Sequence, residues 1–187
     1  DEKIRREMQE ELRRIQQATA MTFIYVTHDQ EEALTMSDRI AVLNRGVCVQ
    51  CDAPEAIFRR PRTRFVAEFF RGCNVIEGEH ERTDGRSFLR IGSATAELPM
   101  SDFPPGRIAV AIRGEDVHLG KDAEGRELVL EARVEGRVYR GLYTDYRLVL
   151  EDGQSLSAMT GRDLEVAAGD EVRIGLDAAA VVPLHEA

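Results

Sequence analysis

Thr22-Phe23-Ile24-Tyr25-Val26-Thr27-His28-Asp29-Gln30-Glu31-Glu32-Ala33-Leu34-Thr35-Met36-Ser37-Asp38-Arg39-Ile40-Ala41-Val42-Leu43-Asn44 is the stretch from which the fold is read. Residues 22–27 are β-branched or aromatic at consecutive positions, which predicts a strand buried on both faces, with a His28-Asp29 pair at its end. Asp29 can cap a short helix over Gln30–Met36, with Glu31 and Glu32 in its positive first turn. Residues 39–44 predict a second buried strand, and Arg45-Gly46 turns the chain into a third, over 47–50. Upstream, Ile4, Met8, Leu12 and Ile15 repeat at spacings of four, four and three, one face of a helix. Helix, strand, helix, strand in this order predict the end of a parallel α/β sheet, and a strand delivering His28-Asp29 at its C-terminal end puts them where such sheets bind ligands.

Downstream of about Asn74 the pattern changes. Residues 107–112, 128–138, 146–150 and 171–176 alternate with period two, separated by Asp84-Gly85, Pro105-Gly106, Asp152-Gly153 and Gly169-Asp170. Many short strands with such punctuation predict an all-β barrel or sandwich. Charge divides at the same place. Residues 1–75 hold 12 Lys+Arg and 12 Asp+Glu, while residues 76–187 hold 13 and 22 and carry the whole net charge of −9. An acidic balance argues against a protein that clamps nucleic-acid phosphates. No apolar run approaches the roughly 20 residues of a membrane-spanning helix. Three cysteines among 187 residues make no disulfide framework and fit a reducing compartment. Two strands buried on both faces need partners that residues 1–75 with three short helices do not supply, so the chain is expected to be the C-terminal piece of a longer one.

The stretch from Thr22 to Gly46 closely resembles the switch-histidine region of the ATP-binding subunits of ABC importers, and the resemblance continues through Gln50, Pro54-Glu55, Pro61 and Phe65-Val66-Ala67-Glu68-Phe69. It reaches back to Asp1, which aligns with the aspartate ending that family's D-loop. Gly72-Cys73-Asn74-Val75-Ile76-Glu77-Gly78 resembles the junction to the family's accessory TOBE domain, and Ile112-Arg113-Gly114-Glu115-Asp116-Val117 resembles that domain's Arg-Pro-Glu-Asp motif with glycine in place of proline. The resemblance implies an α/β fragment, the end of a P-loop NTPase-type ABC ATPase domain over residues 1–72, followed by an all-β OB-like barrel (TOBE) domain over 73–187.

It further implies an ATPase subunit that, when intact, binds ATP and Mg²⁺ and powers substrate uptake, the polyamine or iron type being favoured over the maltose type. His28 would be the catalytic contact to the γ-phosphate and attacking water, and Asp1 would lie at the dimer interface near the opposing subunit's nucleotide. Phosphoryl transfer asks for this kind of positioning and charge stabilisation. The implied partners are a second copy of the subunit, transmembrane permease subunits, and a regulatory protein or small ligand at the β domain. The implied location is cytoplasmic, peripheral on the inner face of the membrane.

Gly-x-x-x-x-Gly-Lys-Ser/Thr and Leu-Ser-Gly-Gly are both missing from the sequence; the nearest string, Gly114 to Asp122, has one residue too many and ends in an aspartate. The fragment alone is therefore expected to be inactive. Cys48-x-x-Cys51 has the spacing of a zinc or redox pair, but three residues along a regular strand send two thiols to opposite faces and no second ligand pair exists, so no metal site is expected. His80, His118 and His185 stand apart, without ligand spacing. Arg59, Arg60, Arg62, Arg64 and Arg71 form a local basic cluster, either a solvated face or a surface for lipid headgroups or a phosphate. The alternative function is an OB-like barrel binding an oligonucleotide or small regulatory ligand, with Tyr139, Tyr143 and Tyr146 as the stacking platform. Its acidic charge argues against nucleic acid as a partner.

Overall fold

A computed structural model describes residues 2–98, 102–161, 164 and 166–185. The chain divides into two compact units, residues 1–57 and 58–187.

In the first unit, α1 (Glu2–Thr19) is the helix expected from its apolar repeat. That repeat stays solvent-exposed at Ile4, Met8 and Ile15. The polar side of α1 faces α2 (Gln30–Met36) instead, through Arg5 Nη1 to Asp29 Oδ2 at 3.3 Å, Gln9 Nε2 to Glu32 Oε1 at 3.0 Å and Arg6 to Glu31 at 3.6 Å.

The strand predicted over 22–27 does not form: these residues join no ladder, and Ile24 and Val26 are 90% and 96% exposed. A strand is stabilised by its neighbours. Among the described residues, β1 (Ile40–Asn44) and β2 (Val47–Asp52) pair only with each other. They form an antiparallel hairpin, in place of the parallel sheet expected from the order of elements. Its turn, Arg45-Gly46, has φ of 50° and 81°, the left-handed pair a tight hairpin requires. β1 buries Ile40 and Val42 and exposes Ala41 and Leu43, so it is covered on one face and not on both.

A bulge in this hairpin also corrects the reading of the cysteine pair. The register slips between Val42 and Leu43, so that Cys48 stands opposite Leu43 and Cys51 opposite Ala41. Both cysteines thus fall on the face that carries Ala41 and Leu43. They are free thiols, and the described residues contain no group of three or more His, Cys, Asp and Glu able to hold a metal ion.

The second unit is mostly β. It is entered through α3 (Pro54–Arg59), which crosses the boundary, and α4 (Arg64–Phe69), whose N-terminus is capped by the Thr63 hydroxyl accepting from Val66 N. Among the described residues ten strands follow: β3 (Cys73–Thr83), β4 (Arg86–Ile91), β5 (Ala94–Glu97), β6 (Gly106–Arg113), β7 (His118–Leu119), β8 (Leu128–Tyr139), β9 (Thr144–Leu150), β10 (Ser155–Thr160), β11 (Glu171–Leu176) and β12 (Val182–Pro183). They build two five-stranded antiparallel sheets, ordered β12-β6-β3-β4-β5 and β10-β9-β8-β11-β7. The period-two stretches are these strands, and alternation fills the interior: Leu128, Leu130, Ala132 and Val134 of β8 meet Ile76, Leu89, Val110 and Ile112 of the other sheet in one core.

Two carboxamides stitch the sheets together. β10 is an edge strand, and Asn74 of β3 presents its side chain to it as a neighbouring peptide would: Nδ2 donates to Ser157 O at 2.8 Å and Oδ1 accepts from Ser157 N at 2.7 Å. In return, Gln154 accepts from Glu77 N at 2.6 Å and donates to Glu77 O at 3.0 Å, where β3 has no strand pairing on that side.

Candidate functional site

His28 lies in a bend between the extended residues 21–27 and α2, and its imidazole is solvent-exposed. Its neighbours are pinned on both sides. Thr27 Oγ1 donates to Glu32 Oε2 at 2.7 Å and accepts from Asp29 N at 3.0 Å. Asp29 is the N-cap of α2, as its sequence position predicts, accepting from Glu31 N at 2.9 Å and Glu32 N at 3.2 Å. The Glu32 N–H bond chiefly holds the Asp29 carboxyl below the ordinary carboxylate range, against an opposing desolvation, with help from the Glu31 N–H, Arg5 and His28. The sign follows: a lowered folded-state value keeps the cap charged and intact through neutral pH and loses it only as pH falls through that value. The result is an imidazole presented to solvent by fixed backbone on either side, a group able to donate a hydrogen bond to a phosphate oxygen. Asp1, the other residue assigned to the nucleotide, lies outside the described residues.

In the second unit, Arg113 is the centre of the Arg-Gly-Glu-Asp motif. It ends β6 and is 4% exposed. Nε donates to Phe58 O at 3.0 Å, Nη1 to Arg71 O at 3.1 Å, and Nη2 also to Phe58 O, while the guanidinium carbon sits 3.6 Å from the centre of the Phe58 ring. The arginine thereby clamps both ends of the 58–71 segment onto the β unit. Gly114 completes the clamp by donating its N–H to Gly72 O at 2.8 Å, a bond that the proline common at this position in the resembling family could not make. A Cβ at Gly114 would also meet Met159 Cε at 3.2 Å, so the departure from proline fits the methionine opposite.

The three tyrosines proposed as a stacking platform do not share a surface. Tyr139 and Tyr143 are exposed near the β8–β9 turn, whereas Tyr146 is fully buried and its hydroxyl bonds the Leu164 backbone. Of the basic cluster, Arg59 and Arg60 line a cavity with Arg113, while Arg64 is paired with Glu68 and Glu77. His80 is buried with Nδ1 donating to Pro104 O at 3.0 Å, His118 stands 3.9 Å from Asp177, and His185 stacks on Phe103, so they form no cluster. Sequence reading passed over Ser157 and Gln154, whose partners lie 83 and 77 residues away and leave no local signal.

Residues 110–184 match the TOBE domain family. The chain is 40% identical over 169 residues to the spermidine/putrescine import ATP-binding protein PotA of Pseudomonas fluorescens, covering 88% of this chain and 45% of that protein. It is 40% identical over 187 residues to the protein of the same name from Rubrobacter xylanophilus, covering 95% of this chain and 49% of that one. A crystal structure of the cytoplasmic molybdate-binding protein ModG with molybdate bound aligns at 14% identity and a TM-score of 0.48, over 59% of this chain and 94% of that one. Along the length it shares with the import proteins, the chain belongs to the ATP-binding proteins of ABC importers that carry a TOBE domain. It spans about half the length of those relatives. No helix of the described residues is long and apolar enough to cross a membrane.

Proposed function

We propose that the chain is the C-terminal part of an ATP-binding subunit that powers polyamine import, with residues 1–72 the end of the ATPase domain and 73–187 its regulatory β domain. The observation that carries this reading is the 40% identity to spermidine/putrescine import proteins across 88% and 95% of the chain. In the complete subunit, His28 donates to the γ-phosphate of ATP and to the attacking water. The exposed imidazole, carried on backbone that the Thr27 and Asp29 bonds steady, supports that role, because a donor on fixed backbone has fewer freedoms left to lose when the transferring group charges up. Asp1 faces the second copy of the subunit across the nucleotide. Two subunits close on two ATP molecules and drive permease subunits at the cytoplasmic face of the membrane.

The chain alone lacks the phosphate loop and the signature segment and neither binds nor hydrolyses ATP effectively. Calorimetric titration of MgATP is expected to give no micromolar binding to the 187-residue chain and clear binding to the complete subunit. Micromolar binding by the chain alone, or none by the complete subunit, refutes the assignment.

A further inference from the structure

We infer that Glu32 is a positioning residue for the hydrolysis step: acting through the Thr27 hydroxyl, it fixes the backbone on both sides of His28. The inference rests on the role proposed above for His28. Asp29 caps α2 and Glu32 stands three residues on, the spacing of a capping box. In that motif the glutamate reaches back to the N–H of the capping residue directly. Here the bond is relayed. Glu32 Oε2 accepts from Thr27 Oγ1 at 2.7 Å, and the same Thr27 oxygen accepts from Asp29 N at 3.0 Å. Asp29 closes the ring, its Oδ1 accepting from Glu32 N at 3.2 Å. A direct bond would already satisfy the N–H of the capping residue; the relay brings in Thr27, on the other side of the histidine.

A threonine hydroxyl has one hydrogen and turns about its C–O bond. With that hydrogen committed to Glu32, the Thr27 lone pairs are left for Asp29 N, the amide of the peptide bond that leaves His28. Removing the carboxylate frees the hydroxyl to turn, and that peptide loses its aimed acceptor. Glu32 also joins the loop to α1: its other oxygen, Oε1, accepts from Gln9 Nε2 at 3.0 Å, and both side chains are half-buried. Together with the Arg5–Asp29 pair, this bond holds the histidine loop against α1.

The test is a double-mutant cycle in the complete subunit, read as kcat and KM for ATP hydrolysis. Glu32→Ala is expected to lower kcat about tenfold with KM nearly unchanged. Thr27→Val keeps the side-chain shape and removes the hydroxyl, and is expected to match it. That variant leaves the Asp29 cap bonds in place, so it reads the relay independently of the stability of α2. Glu32→Gln still offers an amide oxygen to the Thr27 hydroxyl and is expected to retain about half of the turnover or more. In the His28→Ala background, Glu32→Ala is expected to cost nothing further, because its effect passes through the imidazole; a residue that only holds α2 together would multiply the two losses. Multiplied losses, unchanged kcat in Glu32→Ala or Thr27→Val, or a glutamine variant as slow as the alanine one overturns the positioning role. The two readings fail separately. Unchanged turnover in His28→Ala removes the histidine and this inference with it, whereas a slow His28→Ala beside a normal Glu32→Ala removes this inference alone.

Discussion

In the complete subunit, His28→Ala is expected to lower the rate of ATP hydrolysis by about 10²-fold while leaving ATP affinity nearly unchanged. The reasoning is differential. A donor aimed at the γ-phosphate contributes little to holding a nucleotide whose other phosphates are gripped elsewhere, and contributes most when charge moves during transfer. About 10²-fold in rate corresponds to about 2.7 kcal/mol, a magnitude suited to one transition-state hydrogen bond. The bonds of Thr27 and Asp29 do not involve the imidazole, so the substitution leaves the α2 cap in place and the effect is read on chemistry and not on folding. Steady-state turnover with a separate nucleotide-binding measurement checks it. Unchanged turnover removes His28 from the mechanism, and a parallel loss of binding reassigns it to ground-state recognition.

The second large effect concerns the fold of the β unit. Asn74→Ala is expected to destabilise it by about 3 kcal/mol, lowering its melting temperature by on the order of 10 °C. Asn74 is buried, and its carboxamide satisfies both the N–H and the C=O of Ser157 on an edge strand, with Ser157 Oγ also donating to it at 3.1 Å. Alanine leaves those groups without their partner and opens the seam between the sheets. Asn74→Asp keeps the acceptor and loses the donor, so it should fall between wild type and alanine. Thermal unfolding followed by circular dichroism reads the order; a change below about 0.5 kcal/mol for alanine would mean that water replaces the carboxamide and that the seam rests on the core alone.

Legibility in the sequence followed how local each feature is. The α2 cap could be read because Asp29 bonds residues two and three positions on, and β11 runs over Glu171–Leu176 as alternation and the Gly169-Asp170 turn indicate. Residues 22–27 show the opposite case. Their composition is that of a strand, yet composition sets only a preference, and without a neighbouring strand among the described residues the backbone stays unpaired. The cysteine pair failed for a subtler reason: period two predicts opposite faces only in a regular ladder, and one bulged residue reverses the parity. Tyr146 and Tyr143 are three residues apart, but Tyr146 takes a buried position of β9 with Thr144, Leu148 and Leu150 while Tyr143 stands in the turn before the strand, so one is core and the other surface. Arg113 was visible as a motif residue, but its partners at Phe58 and Arg71 lie 55 and 42 residues back, beyond any local pattern.

The central claim, that this chain is part of a polyamine importer's ATPase driven through His28, is tested most directly by uptake. Cells lacking their own polyamine-importer ATPase would receive the complete subunit, as wild type or His28→Ala, with its permease, and the initial rate of labelled putrescine and spermidine entry would be measured. Uptake restored by the wild-type subunit and lost in the variant is the predicted result; no restoration, or equal uptake with His28→Ala, would contradict it.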